Sequence, residues 1–96
     1  MSKEKREVLP KQMTVEFDYE VQMRGEMVKA ITIKKPTMKN MKDMAKIEGS
    51  DLDREAWLMS CLSGCPVADF DNLDIDQYAL VQDVVGKYTS SGMRTT

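Results

Sequence analysis

The 96-residue chain is predicted to fold as α+β, a single small domain with an N-terminal β-hairpin followed by three α-helices. Three observations lead there. From Met13 onward apolar and polar residues alternate with a period of two, the pattern of a half-buried strand. Pro36 then ends the strand character and Thr37 opens a helix. Further on, Ile75, Tyr78, Val81, Val85 and Tyr88 recur at helical spacing. Hydrophobic residues make up 42% of the chain and charged ones 31%, which suits one ordinary globular domain of about 100 residues.

Residues 1–12 are charged, contain Pro10, and are expected to form a flexible arm ahead of a domain spanning 13–88. In the first strand Val15, Phe17, Tyr19, Val21 and Met23 point one way, and Glu16, Asp18, Glu20 and Gln22 the other. Arg24-Gly25-Glu26 supplies a turn, and the second strand sets Ile31 and Ile33 inward against Thr32 and Lys34 outward, closing a hairpin over 13–35. Thr37 caps a helix from about Met38 to Glu48, with Gly49 at its end. Ser50 and Asp53 form a capping box for a helix over 51–63 whose apolar residues (Leu52, Ala56, Trp57, Leu58, Met59, Cys61, Leu62) nearly circle the axis, so it is expected to be central. Pro66 through Leu73 reads as a turn-like piece. Asp74 with Gln77 reads as a further capping box opening the helix 74–88, and 89–96 as a flexible tail. A two-stranded hairpin is marginal alone and must lean on the helices.

The composition argues against several kinds of chemistry. There is no histidine to act as a near-neutral acid, base or metal ligand, and the five glycines are scattered rather than gathered into a phosphate loop. Cys61 and Cys65 are two of the four ligands a tetrahedral zinc site requires, and are expected to be free, partly buried thiols. Asp69, Asp71, Asp74 and Asp76 loosely suggest a calcium loop. Counting from Asp69, however, the sixth and twelfth positions are Asp74 and Leu80 instead of glycine and glutamate, so helix capping explains the acids better. The expectation is a protein that is not an enzyme and has no cofactor or metal. No apolar run approaches the ~20 residues of a membrane span, and the N-terminus does not read as a secretory signal, so membrane partners are not expected and the cytoplasm is.

Charge is unevenly spread. Residues 1–46 carry eleven Lys/Arg against seven Asp/Glu, a net of +4, while 47–96 carry three against nine, a net of −6. Nucleic-acid modules are usually basic overall, whereas this chain has a pI near 5.1 and few aromatics, which makes nucleic acid an unfavoured partner. Opposite charges in the two halves fit head-to-tail self-association at least as well. Lys35, Lys39, Lys42 and Lys46 fall at i, i+4, i+7 and i+11, and read either as a solvated face or as the complement of an acidic partner. Methionine is abundant, nine in all, with Met38, Met41 and Met44 in the first helix. An unbranched, polarizable side chain serves as a core gap-filler or as an adaptable surface for a partner, and composition leaves both open. The candidate partner-binding residues are therefore Met38, Met41, Met44, Lys35, Lys39, Lys42 and Lys46.

The order of features also carries a resemblance. A hairpin ending in Lys34-Lys35-Pro36-Thr37, a helix closing as Leu62-Ser63-Gly64-Cys65-Pro66, and a Leu73-to-Tyr78 element opening the last helix together resemble the small tail assembly chaperones of contractile-tailed phages, over about residues 14–88. In that family an acid is common where Gln77 stands. The resemblance implies a non-enzymatic late protein, of phage or prophage origin, acting in the bacterial host cytoplasm. It would bind the tape-measure protein, keep it soluble, promote tail tube assembly around it, and be absent from the finished virion. Further implied partners are the tail tube protein, a longer frameshifted form of the chain, and a homo-oligomer. A tape-measure protein exposes long apolar helical stripes, which adaptable methionines can cover while a lysine rim speeds encounter. Met41→Asp with Met44→Asp is accordingly expected to leave the fold largely intact and abolish capture of the tape-measure protein. The rival readings are a structural tail or connector subunit retained in the virion, and a small nucleic-acid-binding regulator.

Overall fold

In the computed structural model residues 8–92 are described. Six elements follow in order: β1 (Gln12–Met23), β2 (Glu26–Lys34), α1 (Met38–Ala45), α2 (Asp51–Ser63), α3 (Val67–Asp71) and α4 (Ile75–Gly92). The two strands form one antiparallel sheet. They are joined by a two-residue turn in which Arg24 and Gly25 both have positive φ, 54° and 79°, the left-handed pair that matches strand twist in a tight hairpin. The predicted α+β class and hairpin-then-helices order are what the chain adopts.

One face of the hairpin is the core. Val15, Phe17, Val21 and Met23 of β1 and Ile33 of β2 are buried with Leu58, Met59 and Leu62 of α2, Phe70 of α3, and Val81, Val85 and Tyr88 of α4. β1 packs on α4, β2 on α2, and α1 and α3 each on α2. The opposite face carries Glu16, Gln22, Thr32 and Lys34, all exposed, as alternation requires in the regularly paired stretches.

Several details differ from the sequence reading. Tyr19 does not point into the core. The pairing shifts between Glu16↔Ala30 and Val21↔Val28, so that four β1 residues span a single β2 residue, and the bulged segment turns Tyr19 outward. Its hydroxyl donates to the Asp74 carboxylate. Gln77, fully buried, holds the bulge: its side-chain carbonyl accepts from Asp18 N–H at 2.9 Å, and its amide donates to Asp18 Oδ2 at 2.9 Å and Asp76 Oδ2 at 3.1 Å. Because Gln77 and Asp74 are engaged with β1, the expected Asp74–Gln77 capping box is replaced by these long-range bonds.

The other differences concern helix limits. α1 stops at Ala45, short of Glu48, because the chain beyond it turns its carbonyls to Arg54, whose guanidinium donates to Ile47 O and Gly49 O, both at 3.0 Å. The turn-like piece after Pro66 winds into α3, which buries Phe70. α4 continues to Gly92, past the predicted end at 88, with Thr89 Oγ1 donating back to Val85 O at 3.1 Å. At the other end, residues 1–7 of the expected arm lie outside the described residues, as do 93–96 of the tail. The nearer part of the arm is tied down: Leu9 packs on the core, and Pro10 O accepts from the Tyr88 hydroxyl at 2.7 Å.

Candidate interaction surface

α1 begins cleanly because its cap is local. The Thr37 hydroxyl accepts from Asn40 N–H at 3.2 Å, and Asn40 Oδ1 accepts from Thr37 N–H at 2.8 Å. The helix then runs only eight residues and contributes no fully buried side chain. Isolated helices shorter than ~12–15 residues are marginal in water, so α1 depends on its packing against α2.

The candidate residues divide into three groups. Met38, Lys39, Lys42 and Lys46, with Asp43, line a shallow, open concavity of about 320 Å³. Met38 is 61% exposed there, the one apolar side chain among the lining residues. Lys39 pairs with Asp43 at 3.1 Å, an exposed contact of little energetic weight. Met41 and Met44 are half-buried against the core and do not join the concavity. Lys35 stands apart as well. It precedes the helix, its backbone N–H donates to Lys11 O at 2.8 Å, and its Nζ donates to Leu9 O at 3.0 Å, so it straps the segment leading into β1.

Two apolar residues that the sequence pattern places on helix faces are exposed. Leu52, in the first turn of α2, is 63% exposed, and Ile75, in the first turn of α4, is 86% exposed. The signal for Ile75 was its setting: an apolar residue between Asp74 and Asp76, beside carboxylates that favour the solvated start of a helix.

The remaining polar groups are arranged for structure. The second capping box forms as expected, with Ser50 N–H and hydroxyl both donating to Asp53 Oδ2, at 2.9 and 3.1 Å. Those bonds, the backbone one foremost, hold the Asp53 carboxyl below its usual range. Both cysteines are free thiols: Cys65 is buried and Cys61 exposed. Partial burial, and then Asp43 of α1, push the Cys61 thiol up, which disfavours the reactive thiolate. Among the described residues no group of three or more His, Cys, Asp or Glu is placed to hold a metal ion, and no helix is long and apolar enough to cross a membrane.

The hairpin is thus backed by helices, and the short α1 carries an exposed methionine among lysines. A family model described as phage tail assembly chaperone proteins, E, or 41 or 14, matches residues 14–89. The chain belongs to that family, whose members work on phage tail proteins. No curated protein and no solved structure matches it.

Proposed function

We propose that the protein binds the tape-measure protein of a contractile-tailed phage or prophage before assembly, keeps its apolar stripes from aggregating, and promotes tail tube growth around it. The reading is non-enzymatic: no bond is made or broken. The observation that carries it is the α1 concavity within a tail assembly chaperone, where exposed Met38 offers a deformable apolar contact and Lys39, Lys42 and Lys46 surround it with positive charge. The protein would act in the host cytoplasm and leave before the virion is complete, and virion mass spectrometry that finds it at subunit stoichiometry would contradict that part.

The half-burial of Met41 and Met44 changes which substitution probes the surface. Aspartate at both positions removes core contacts as well as surface, so loss of capture by that pair would not separate the two. Met38→Asp with Lys42→Glu alters exposed positions only. Co-expressed with the tape-measure protein, the wild-type chain is expected to hold it in the soluble fraction and this variant to leave it in the pellet. Unchanged client solubility, with circular dichroism showing both proteins folded, would refute the assignment of the α1 face.

A further inference from the structure

The orientation of α1 is set at its ends. The helix has eight residues and no fully buried side chain, and its inner contacts come from half-buried Met41 and Met44. Methionine packing is adaptable, so those contacts tolerate a tilt or slide of the helix and do not select one orientation. The entry to α1 is fixed to the hairpin, where Lys35 N–H donates to Lys11 O at 2.8 Å, just ahead of the Thr37 cap. The exit is a link, residues 46–50, that buries no side chain. Within it the Lys46 and Ile47 N–H groups close the last turn of α1 itself, on Asp43 O at 3.1 Å and Met44 O at 3.0 Å.

A single guanidinium ties that link to α2. Arg54, one turn into α2, donates from Nη1 to Ile47 O and to Gly49 O, both at 3.0 Å, and from Nη2 to Asp51 Oδ1 at 3.3 Å. Its side chain is only 32% exposed, and the buried stretch of α2 begins two residues later at Ala56, so the donors stand on a fixed base. A guanidinium stays charged and holds its N–H groups in one rigid plane, so bonds to it fix a direction that packing against methionine does not. The Asp51 carboxylate is fully exposed and adds little, which leaves the two carbonyls as the contact that matters.

We propose that Arg54 is the positioning residue of the α1 face. By bridging Ile47 O and Gly49 O it fixes the exit of α1 on α2, and with it the orientation in which Met38, Lys39, Lys42 and Lys46 are presented. Arg54 does not touch the client. Its functional consequence rests on the proposed client reading, whereas the latch itself belongs to the free protein. Without it, α1 keeps its entry and its cap but swings about them.

The test uses the full chain and Arg54→Met, which keeps an unbranched stem and removes every donor. The freed carbonyls lie in an exposed link and are taken up by water, so the rest of the fold should persist. Backbone N–H residual dipolar couplings read orientation directly. In the wild type those of α1 should fit the same alignment as α2 and α4. In Arg54→Met the α1 couplings should shrink and lose that fit while α2 and α4 keep theirs. Asp51→Asn removes the ion pair and leaves both carbonyl contacts, so its α1 couplings should match wild type. The proposal is overturned by α1 couplings that still fit in Arg54→Met, by a collapse of all couplings together, or by Asp51→Asn loosening α1 as much as Arg54→Met does. Co-expression with the tape-measure protein separates this inference from the client reading. Arg54→Met should leave more of the client in the pellet although Met38 and the three lysines are intact. A loosened α1 with undiminished client solubility would count against the client face and leave the latch standing. An unloosened α1 would defeat the latch alone.

Discussion

Gln77 is the buried polar side chain on which the β1 bulge depends, and replacing it by glutamate tests that role with almost no change in shape. The wild-type amide donates to two carboxylates and accepts one backbone N–H, with no measurable exposure of its own. In Gln77→Glu the acceptor survives, but both donations are lost and a third carboxylate faces Asp18 and Asp76. Hydrogen bonds to charged partners contribute ~1.5–3 kcal/mol each; because Asp18 and Asp76 are themselves exposed, the lower figure applies, and the loss is about 3 kcal/mol at pH 7. Linkage sets the pH dependence. A protonated glutamic acid restores one of the two donations, so about half of that cost, ~1.5 kcal/mol, is linked to ionisation, which at 1.36 kcal/mol per unit raises the introduced carboxyl from ~4.3 to about 5.4 in the folded state. A group raised on folding leaves stability intact below its unfolded value and removes it as pH climbs through its folded value. The variant should therefore lie about 1.5 kcal/mol below wild type near pH 4, fall by about as much again between about pH 4.3 and 5.4, and stay low above that. Urea unfolding followed by Trp57 fluorescence at several pH values measures this directly. Gln77→Leu is the control: it strands Asp18 N–H at a cost of ~1–3 kcal/mol with no comparable pH dependence. A glutamate variant within about 0.5 kcal/mol of wild type from pH 4 to 8 would mean that the bulge is held by something else.

Other substitutions follow from single contacts. Gly49 has φ +125°, and a β-carbon there would meet Asp53 Oδ2 at 2.5 Å, so Gly49→Ala combines backbone strain with a disturbed capping box. The expected loss is about 3 kcal/mol, a fall in Tm of roughly 10–20 °C by calorimetry. Asp53 is depressed on folding, so its contribution is present above ~3.9 and lost as pH falls through the lower folded value. Asp53→Asn should flatten the acid limb of the stability profile below about pH 4, whereas Ser50→Ala should retain most of it because the backbone N–H is the larger cause. Tyr19 is pushed up to about 12, chiefly by its bond to Asp74; burial raises Tyr78, with Glu55 adding to it; burial alone raises Tyr88. Tyrosinate absorbance should therefore lag the free amino acid, with stability intact below pH ~10 and declining above it; normal titration of all three phenols in the folded protein would contradict these contacts.

What could be read from the sequence was whatever depends on near neighbours. Val15, Phe17, Val21 and Met23 followed the period-two rule because one face of the sheet is buried. Thr37 with Asn40 and Ser50 with Asp53 close within three residues, so their caps were visible as local patterns. Asp74 with Gln77 presented the same pattern and failed, since Asp18 and Tyr19, more than fifty residues away in the chain, competed for both side chains. The early end of α1 was hidden for a similar reason: the choice of Arg54 to bond Ile47 O and Gly49 O has no periodic signature. The lysine stripe was partly legible, for Lys39, Lys42 and Lys46 share the concavity while Lys35 lies before the cap. Among the methionines, a step of three residues rotates each position by about −60° around the axis. Met38, Met41 and Met44 thus span about 120° and cannot all face one way; the outermost joins the lysines and the others meet the core.

That division is what makes α1 the candidate docking element of the proposed function. Its inner methionines anchor it to α2 and the core without being enclosed, and its outer one is left to solvent among cations. A leucine-based helix buried to the same depth would hold one rotamer and one shape, whereas methionine tolerates a shift of the helix at little packing cost. The helix is too short to keep its own structure if those contacts loosen. Contact with a partner and order in α1 are therefore coupled: whatever covers Met38 also stabilises the helix that presents it. A surface made this way binds with part of its energy spent on ordering itself, which lowers affinity for any one partner and makes release easier. Under the proposed role, in which the client is released as the tail closes around it, a short, half-buried helix on the hairpin-and-helix base is the physically consistent arrangement.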